Sequence, residues 1–582
     1  GGGCMDADTA YCEAVGSIQA MAGLQYLGLP LPQDRFGAVL RYQTDHDETG
    51  RATSCGPRTS RLMVRVLAAE ALRLGVRCLP KCEAVQLLTT PDGSAVAGVL
   101  AIDHGRHEDN GGFCLLLAPD VVLATGGPGE LYRDSVYPRH CYGALGMALE
   151  AGLAVCNLTE SQFGIGTRRQ EFPWNLSGTY AQVMPRIWSE DAEGRSHEFL
   201  GGYYRSTREL AANTFRKGYQ WPFHATRMLD FRSSLLDLAV HEQVQQGRTV
   251  YMDFLRNPAP GPDGAAFRLD DLDTDVHAYL AANQALQELP IERLQRMNPL
   301  AIELYRMHGT DLTSDPLPFA VNNQHMNGGI AVDSWGMSSL RGCYAVGEVA
   351  GTHGVTRPGG AALNAGQVGG LRCAEHIAAR PGPGAAIDPT ALASQVRSAA
   401  DIRGQSGQEG ALATRSVRTG IQARMSDHAG FICQVAELPA ARDAARSLRR
   451  RIWQQGVHCR RPSQWAEAFR WRHLALLSEA VLDALVHYAG SGGGSRGARA
   501  YCTSDGDQVP QAHDGPLAAY RFRREDPAHR SHKLQLQWQG DGFHISEQPV
   551  RAHEDLAAIV FERDWQAYLT DAIHDPDFQH RR

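Results

Sequence analysis

The chain has 582 residues, enough for several domains with sizeable cores. Hydrophobic residues make up 43% and charged residues 21%, with a net charge of -7, a globular balance that excludes disordered and fibrous classes and gives no pull toward nucleic acid or anionic lipid. Lysine occurs only at Lys81, Lys217 and Lys533, so the arginine excess reflects a compositional bias rather than phosphate binding, and Arg449-Arg450-Arg451 reads as a solvated helix face.

From Arg51 onward, Met63, Val66, Leu67, Ala71 and Leu74 recur at helical spacing, and Gly75 closes the helix. Short apolar strands follow, two of them joined by a turn at "DGS". Val121–Ala124 is a continuous apolar run entering Gly126-Gly127, the pattern of a parallel strand covered on both faces. "GALGMALEAGLAV" then reads as a helix and a strand, an alternation that predicts an α/β domain. The stretch from about 175 to 316, richer in aromatic and charged residues, reads as an inserted mixed domain. A strand–glycine–helix signature returns at "GCYAVGEVAG", a Pro/Gly linker "RPGPGAAIDP" precedes a helix-rich segment, and "KLQLQWQGDGFHISEQ" predicts a β-hairpin turning at Asp541-Gly542.

The 13 cysteines are scattered, and none shows zinc or iron–sulfur spacing. Cys78 and Cys82, the closest pair, read as buried thiols, and a reducing, cytoplasmic setting is expected, membrane-peripheral only through a partner. No twenty-residue apolar run and no signal peptide are found, so no intrinsic membrane segment is expected. The chain opens "GGGCMDADTA", which reads as processed, tagged or cut from something longer.

The segment "HGVTRPGGAALNAGQVGG", His353–Gly370, places bare backbone between a strand and a small-residue helix. Glycine there lets a planar ring or a phosphate reach backbone N–H groups, and a helix starting near residues 361–364 directs its positive end at whatever lies in front. Reduced flavin carries negative charge at the N1/C2=O edge and suits such a partner. The alternative is a tight strand–helix connection with a capping Asn364 and a solvent-facing Glu348.

"VVLATGG", "GTDLTSDPLP", "MNGGIAVD", "GCYAVGEVAGTHGVTRPGGAAL" and "SRGARA" resemble, in this order, "VLATGG", "GIDVTKEPIP", "HYTMGGI", "GLYAAGE…LHGANRLGSNSL" and "SRGAH" of the fumarate reductase, succinate dehydrogenase and L-aspartate oxidase flavoprotein family. The resemblance covers most of the chain. It implies an α/β fold: a Rossmann-like FAD-binding domain, incomplete at its N-terminus, with an inserted α+β capping domain and a helical C-terminal domain. The domains expected are 1–175 and 317–385 for FAD binding, 176–316 for the cap, 386–490 for the helical domain and 491–582 for a small C-terminal domain.

FAD is the implied cofactor, held non-covalently through Thr125, Gly126, Gly127, Gly347, Glu348, Gly359, Gly360, Ala362, Leu363 and Asn364. Glu348 is expected on a ribityl or ribose hydroxyl. The family's N-terminal strand with G-x-G-x-x-G has no counterpart, and "GGG" at residues 1–3 resembles the remnant of a later flavin loop, so FAD binding is expected to be weakened. Arg58, Thr59, His353 and Arg357 are the implied substrate contacts. Arg357, His325, Arg186 and Gln324 are the catalytic candidates; no metal ligand is implied. Gln324 stands where the family has a histidine, Gly164 of "QFGIGT" stands for the histidine of "QFHPTG", and Arg186 is the nearest match to the arginine of "RGEGG". Glu160, Gln162 and Trp174 are candidate pocket walls, and Arg496 a candidate for domain docking.

With one arginine in place, a single carboxylate, an enone or a cyclic acid suits this inventory better than fumarate. The reading is an FAD-dependent oxidoreductase acting on a C–C bond of a small-molecule substrate, with a separate electron donor or acceptor protein or small carrier. Two alternatives stand beside it: a catalytically degenerate flavoprotein-like chain serving as an assembly scaffold, and an amino-acid oxidase.

Overall fold

The computed structural model describes residues 1–42, 50–106, 110–168, 172–176, 178–380, 387–508, 515–552, 561–575 and 578. Its parallel part is small. Cys343–Ala345 pairs with Val121–Leu123 in a two-stranded parallel sheet, Cys343 opposite Val121 and Ala345 opposite Leu123. Leu123 is buried but Val122 is 44% exposed, so among the described residues this apolar run is covered on one face, not on both as its sequence predicts. Beside it runs an antiparallel meander of Cys82–Thr89, Val96–Asp103 and Phe113–Leu117. The "DGS" turn joins its first two strands, where Asp92 accepts hydrogen bonds from Thr90 Oγ1 at 2.5 Å and Ser94 Oγ at 2.8 Å.

A five-stranded sheet forms the cap, in the order Ser161–Thr167, Leu317–Met326, Thr249–Asp253, Arg186–Glu190, Ser196–His197. Its first two strands flank the inserted segment in sequence, so one hydrogen-bonded layer spans positions 175 and 316. Against it packs the helix Leu235–Gln245, whose fully buried Asp237 meets the equally buried Lys217 Nζ at 2.5 Å. The helix Thr207–Arg216 starts on Ser206, whose hydroxyl accepts from the Glu209 N–H.

The helix Trp465–Gly490 is buried nearly all round and runs through the main core. The arginine triplet facing it on Leu438–Gln455 is not a uniformly solvated face. Arg449 is 3% exposed and donates to the buried Glu479 at 2.7 Å, while Arg450 reaches outward to Asp541. A charge pattern read in one dimension cannot tell which of three consecutive arginines points inward. Cys78, expected as a buried thiol, is exposed; it follows the Gly75 turn, where the chain has left the core.

His532–Trp538 and Phe543–Pro549 form the expected hairpin, Trp538 opposite Phe543. That hairpin adds onto Val155–Cys156 and Gly329–Ile330, giving a four-stranded sheet. It also ties down the start of the chain: Ser531 N donates to Gly3 O at 2.8 Å and Ala7 N to Arg551 O at 2.9 Å. Arg551 pairs with Asp6 at 3.0 Å and Asp8 at 2.8 Å. No helix among the described residues is long and apolar enough to cross a membrane.

The short helix Leu145–Glu150 docks on Trp465–Gly490 through Glu150, which accepts from Arg472 at 2.7 Å and faces His473 at 3.4 Å. Burial raises the Glu150 pKa, but His473 and Arg472 outweigh it and hold it down at about 2, from 4.5. A depressed carboxyl contributes stability that is complete above the unfolded value and is lost as pH falls through the folded one. Thermal unfolding followed from pH 5 downward is therefore expected to show a decline between about 4.5 and 2 that Glu150→Gln flattens; parallel acid limbs in the two proteins would remove Glu150 from the account.

Candidate functional site

The expected glycine crossing is built as follows. Strand Cys343–Ala345 ends, Gly347 turns at φ 71°, and the chain loops to Gly360, which at φ 79° caps the helix Ala361–Ala379. A Cβ on Gly347 would stand 3.5 Å from the Gly366 Cα, an ordinary contact, so it is the positive φ that calls for glycine there. At Gly360 there is open space as well: a Cβ would meet nothing within 4 Å.

That open space belongs to a cavity of about 1650 Å³, larger than the ~300–1,000 Å³ usual for small-molecule sites. Gly359, Gly360, Ala361, Leu363 and Asn364 line one side of it, so the positive end of a 19-residue helix opens on the cavity. The first helix, Ala7–Tyr26, lines a second side through Glu13 and Ser17, and residues 51–63 a third through Thr59 and Met63. The cap closes over them with Trp174, Asn175, Gln182 and Trp221.

His353 lines the wall, 2% exposed, with its Nε2 lacking a hydrogen-bond partner among the described residues. Burial first, then Arg357 and the Gly1 amino group, push its pKa down to about 3, so the imidazole is neutral. His325 lies 5.1 Å from it, ring centre to ring centre, and is held at Nδ1 by Asn327 Oδ1 at 2.8 Å. Burial, Arg357 and His353 lower its pKa well below the ordinary value, and it is not on the cavity wall.

Arg357 stands one layer back. Its guanidinium lies 5.8 Å from the ring centre of Trp221, its Nε donates to Gln162 Oε1 at 2.8 Å, and Gln162 Nε2 donates back to the Arg357 carbonyl at 3.0 Å. Thr59 is on the wall, with its hydroxyl accepting from Cys55 N at 2.8 Å. Arg58 points away, 3.4 Å from Glu303 on the surface. Gln324 is half-buried near Asn175, at 3.4 Å.

Other sequence-predicted residues are not brought together. Arg186 is committed on the cap sheet to Glu198 at 2.6 Å and lies near Asp253 at 3.9 Å; it is not among the cavity-lining residues, because on its strand it faces the cap's own acids. Glu348 turns inward and accepts from Tyr137 Oη and, at 2.9 Å, from Met326 N. Both bonds fall on Oε1, and the side chain is 16% exposed, so it is not the solvent-facing carboxylate of a plain strand–helix connection. Thr125 is exposed, and Gly127 lies against Glu348, where a Cβ would stand 2.2 Å from its carboxylate. None of Thr125, Gly126, Gly127 or Ala362 lines the cavity. The triglycine packs on the 353–355 segment, with Val355 N donating to Gly1 O at 2.9 Å. Glu160 pairs with Arg496 at 3.0 Å, in agreement with a docking role for that arginine.

Sequence reasoning missed Glu13 and Trp221. Neither sits in a recognisable motif; Glu13 is one acid on a small-residue helix, and Trp221 reads as core.

The flavin end of FAD fits these residues on three observations: a helix N-terminus opening on the cavity, bare backbone at Gly359-Gly360, and the orphaned Nε2 of His353. Gly359, Gly360, Leu363, Asn364 and His353 would hold it. Gly360→Val fills the open space and forces a β-branched residue to positive φ. It is expected to weaken flavin retention at least tenfold, read as the flavin-to-protein absorbance ratio after gel filtration; an unchanged ratio would remove this edge from the site. Among the described residues, no group of three or more His, Cys, Asp or Glu is placed to hold a metal ion.

Residues 5–363 match the family model described as "FAD binding domain". Among curated proteins, the chain is 28% identical over 354 residues to L-aspartate oxidase 2 of Ralstonia nicotianae, covering 60% of this chain and 55% of that protein. It is 24% identical over 319 residues to one subunit of the CoM/CoB fumarate reductase of Methanothermobacter marburgensis, covering 54% and 48%. The chain thus spans about half the length of the curated relatives it matches. Among solved structures, the fold resembles the E. coli quinol fumarate reductase, with a TM-score of 0.67 at 17% identity, covering 95% of this chain and 86% of that one. It also resembles Sdh1 of Mycobacterium smegmatis, at 0.66 and 20%, covering 98% and 86%.

Proposed function

We propose that this chain, which belongs to the FAD-binding-domain family and whose cofactor is FAD, is an oxidoreductase acting on a carbon–carbon bond of a carboxylate or enone other than fumarate. The observation that carries the reading is the Gly360-capped helix end opening on a cavity walled by Trp174 and Trp221. Bound FAD supplies two-electron chemistry there. The residues of the chain supply the rest. Arg357, clamped by Gln162 one layer behind Trp221, lends this wall a fixed positive charge that favours a single carboxylate in the cavity. Neutral His353 offers a hydrogen bond at the wall, and the cap covers that side with Trp174 and Trp221. Fumarate would need a second, opposed set of cations beside the flavin end; Arg186 is engaged by Glu198 and Asp253, and Arg41, on the lining, is turned to the Arg51 carbonyl at 2.7 Å.

Electrons are exchanged with a separate carrier, in line with relatives that are themselves parts of larger enzymes, such as the CoM/CoB fumarate reductase subunit. Reducing the bound flavin anaerobically with dithionite and adding fumarate, crotonate, cinnamate or cyclohexenone in turn tests this. Return of the yellow colour is expected with a monocarboxylate or the enone and not with fumarate. Reoxidation by fumarate alone would overturn the substrate class. No reoxidation by any of them would favour the scaffold reading, for which the engagement of Arg186 speaks.

A further inference from the structure

The geometry points to Glu13 as the general acid of this cavity, delivering a proton to the substrate carbon and recovering it from water. The inference rests on the oxidoreductase reading above. Glu13 is on the cavity wall, on the same helix as Ser17. Its backbone is fixed to the flavin-facing helix, since Asn364 Nδ2 donates to the Glu13 carbonyl at 3.3 Å. Three residues on, Gly16 packs so closely on that helix that a Cβ would stand 2.6 Å from Val368 Cγ1. The backbone that carries this carboxyl is thereby fixed against the helix whose Gly359–Ala361 end lines the same cavity.

Four other candidates for proton delivery are neutral or engaged. The two buried histidines are neutral, with pKa values pushed below the ordinary range. Arg186 is engaged on the cap sheet, and Tyr180 donates to the Ala301 carbonyl at 3.0 Å. The charged and titratable groups acting on Glu13 are the Gly1 amino group and Arg357, both of which favour its carboxylate; His353 shares that wall in neutral form. Arg41, Arg51 and Asp275 lie elsewhere on the lining. Burial outweighs the two cations and raises the Glu13 pKa from 4.5 to about 7. A carboxyl poised near working pH meets the requirement for proton transfer in either direction.

In the reducing direction the C=C bond becomes a C–C bond. A hydride, carrying both electrons, comes from reduced FAD, which is oxidised; the proton comes from the Glu13 carboxyl, leaving a carboxylate that water reprotonates. In the oxidising direction the Glu13 carboxylate accepts the proton.

Two measurements test the assignment. In the first, dithionite-reduced wild type, Glu13→Gln and Glu13→Asp are mixed with cinnamate from pH 5 to 9. Glu13→Gln is expected to keep its flavin and its reduction by dithionite but to reoxidise about 100-fold more slowly, without the wild-type dependence on pH around 7; Glu13→Asp falls between. A Glu13→Gln rate and pH profile equal to wild type would overturn the proposal. The second needs no turnover: the infrared difference between wild type and Glu13→Gln, as purified, is titrated with pH. A protonated-carboxyl band vanishing near pH 7 is expected, and its absence above pH 5.5 would overturn the assignment. If wild type reduces none of the test compounds, it is the oxidoreductase reading that fails, and the band still decides whether Glu13 holds a proton at neutral pH.

Discussion

Replacing Arg496 with leucine is expected to lower the unfolding free energy by ~3–5 kcal/mol. Its guanidinium donates to Glu160 Oε1 through Nε at 3.2 Å and Nη2 at 3.0 Å, to the His529 carbonyl at 3.0 Å, and lies 4.5 Å from the ring centre of Tyr488. The two side chains are 7% and 3% exposed. Glu160 enters the cap sheet, whereas Arg496 belongs to the "SRGARA" turn 336 residues later, so this contact joins two distant stretches of chain. Leucine leaves a buried carboxylate without its cation. The large cost comes from that orphaned charge rather than from the worth of the pair, and so Glu160→Met added to Arg496→Leu is expected to recover most of the loss. Denaturant unfolding of the three variants checks this. A loss below ~1 kcal/mol in the single variant, or no recovery in the double, contradicts it.

Gly328→Ala is the second large effect. A methyl group there would stand 2.1 Å from the Asn157 carbonyl oxygen and 2.4 Å from its carbon. Both are backbone atoms, and Asn157 is pinned at φ 53° with its side chain donating to the Cys4 carbonyl at 2.9 Å. Nothing flexible can yield, so the strand Gly329–Ile330 must move off Val155–Cys156. A loss of ~3 kcal/mol is expected. Because Asn327 holds His325 at 2.8 Å and donates to the Val355 carbonyl at 3.0 Å, flavin retention should fall with stability. A melting temperature and flavin content matching wild type would show that the backbone here is not in contact as described.

These two positions show what was legible in advance. "MNGGIAVD" and "SRGARA" stood out as motifs because each marks a place where geometry tolerates only one residue type: bare backbone at Gly328, a forked cation at Arg496. The strand–glycine–helix crossing at 343–361 was legible for the same reason, and so was the hairpin at Asp541-Gly542. What the motifs did not carry was direction. Glu348 and Gly127 sit in recognisable strings, yet they face each other and not the cavity, because Tyr137 and the Met326 amide satisfy that carboxylate from within. Arg357 was found by its isolation among glycines, but its depth behind Trp221 is set by a partner 195 residues away, Gln162. Glu13 carried no signal at all. A single acid on a helix becomes chemically distinctive only when remote segments gather around it into one cavity, and that enclosure is a property of the fold.

The bonding of residues 3–8 to residues 531–551 has a consequence for biosynthesis. Asp6, at the base of the helix bearing Glu13, leaves the ribosome 545 positions ahead of the Arg551 that fastens it. Closing so long a loop is entropically costly, so during that stretch of translation the small-residue helix can be seated only by the helix Ala361–Ala379, without its second fastening. A polypeptide cut short before Arg551 would hold every motif of the cavity without the strap at the base of its first helix.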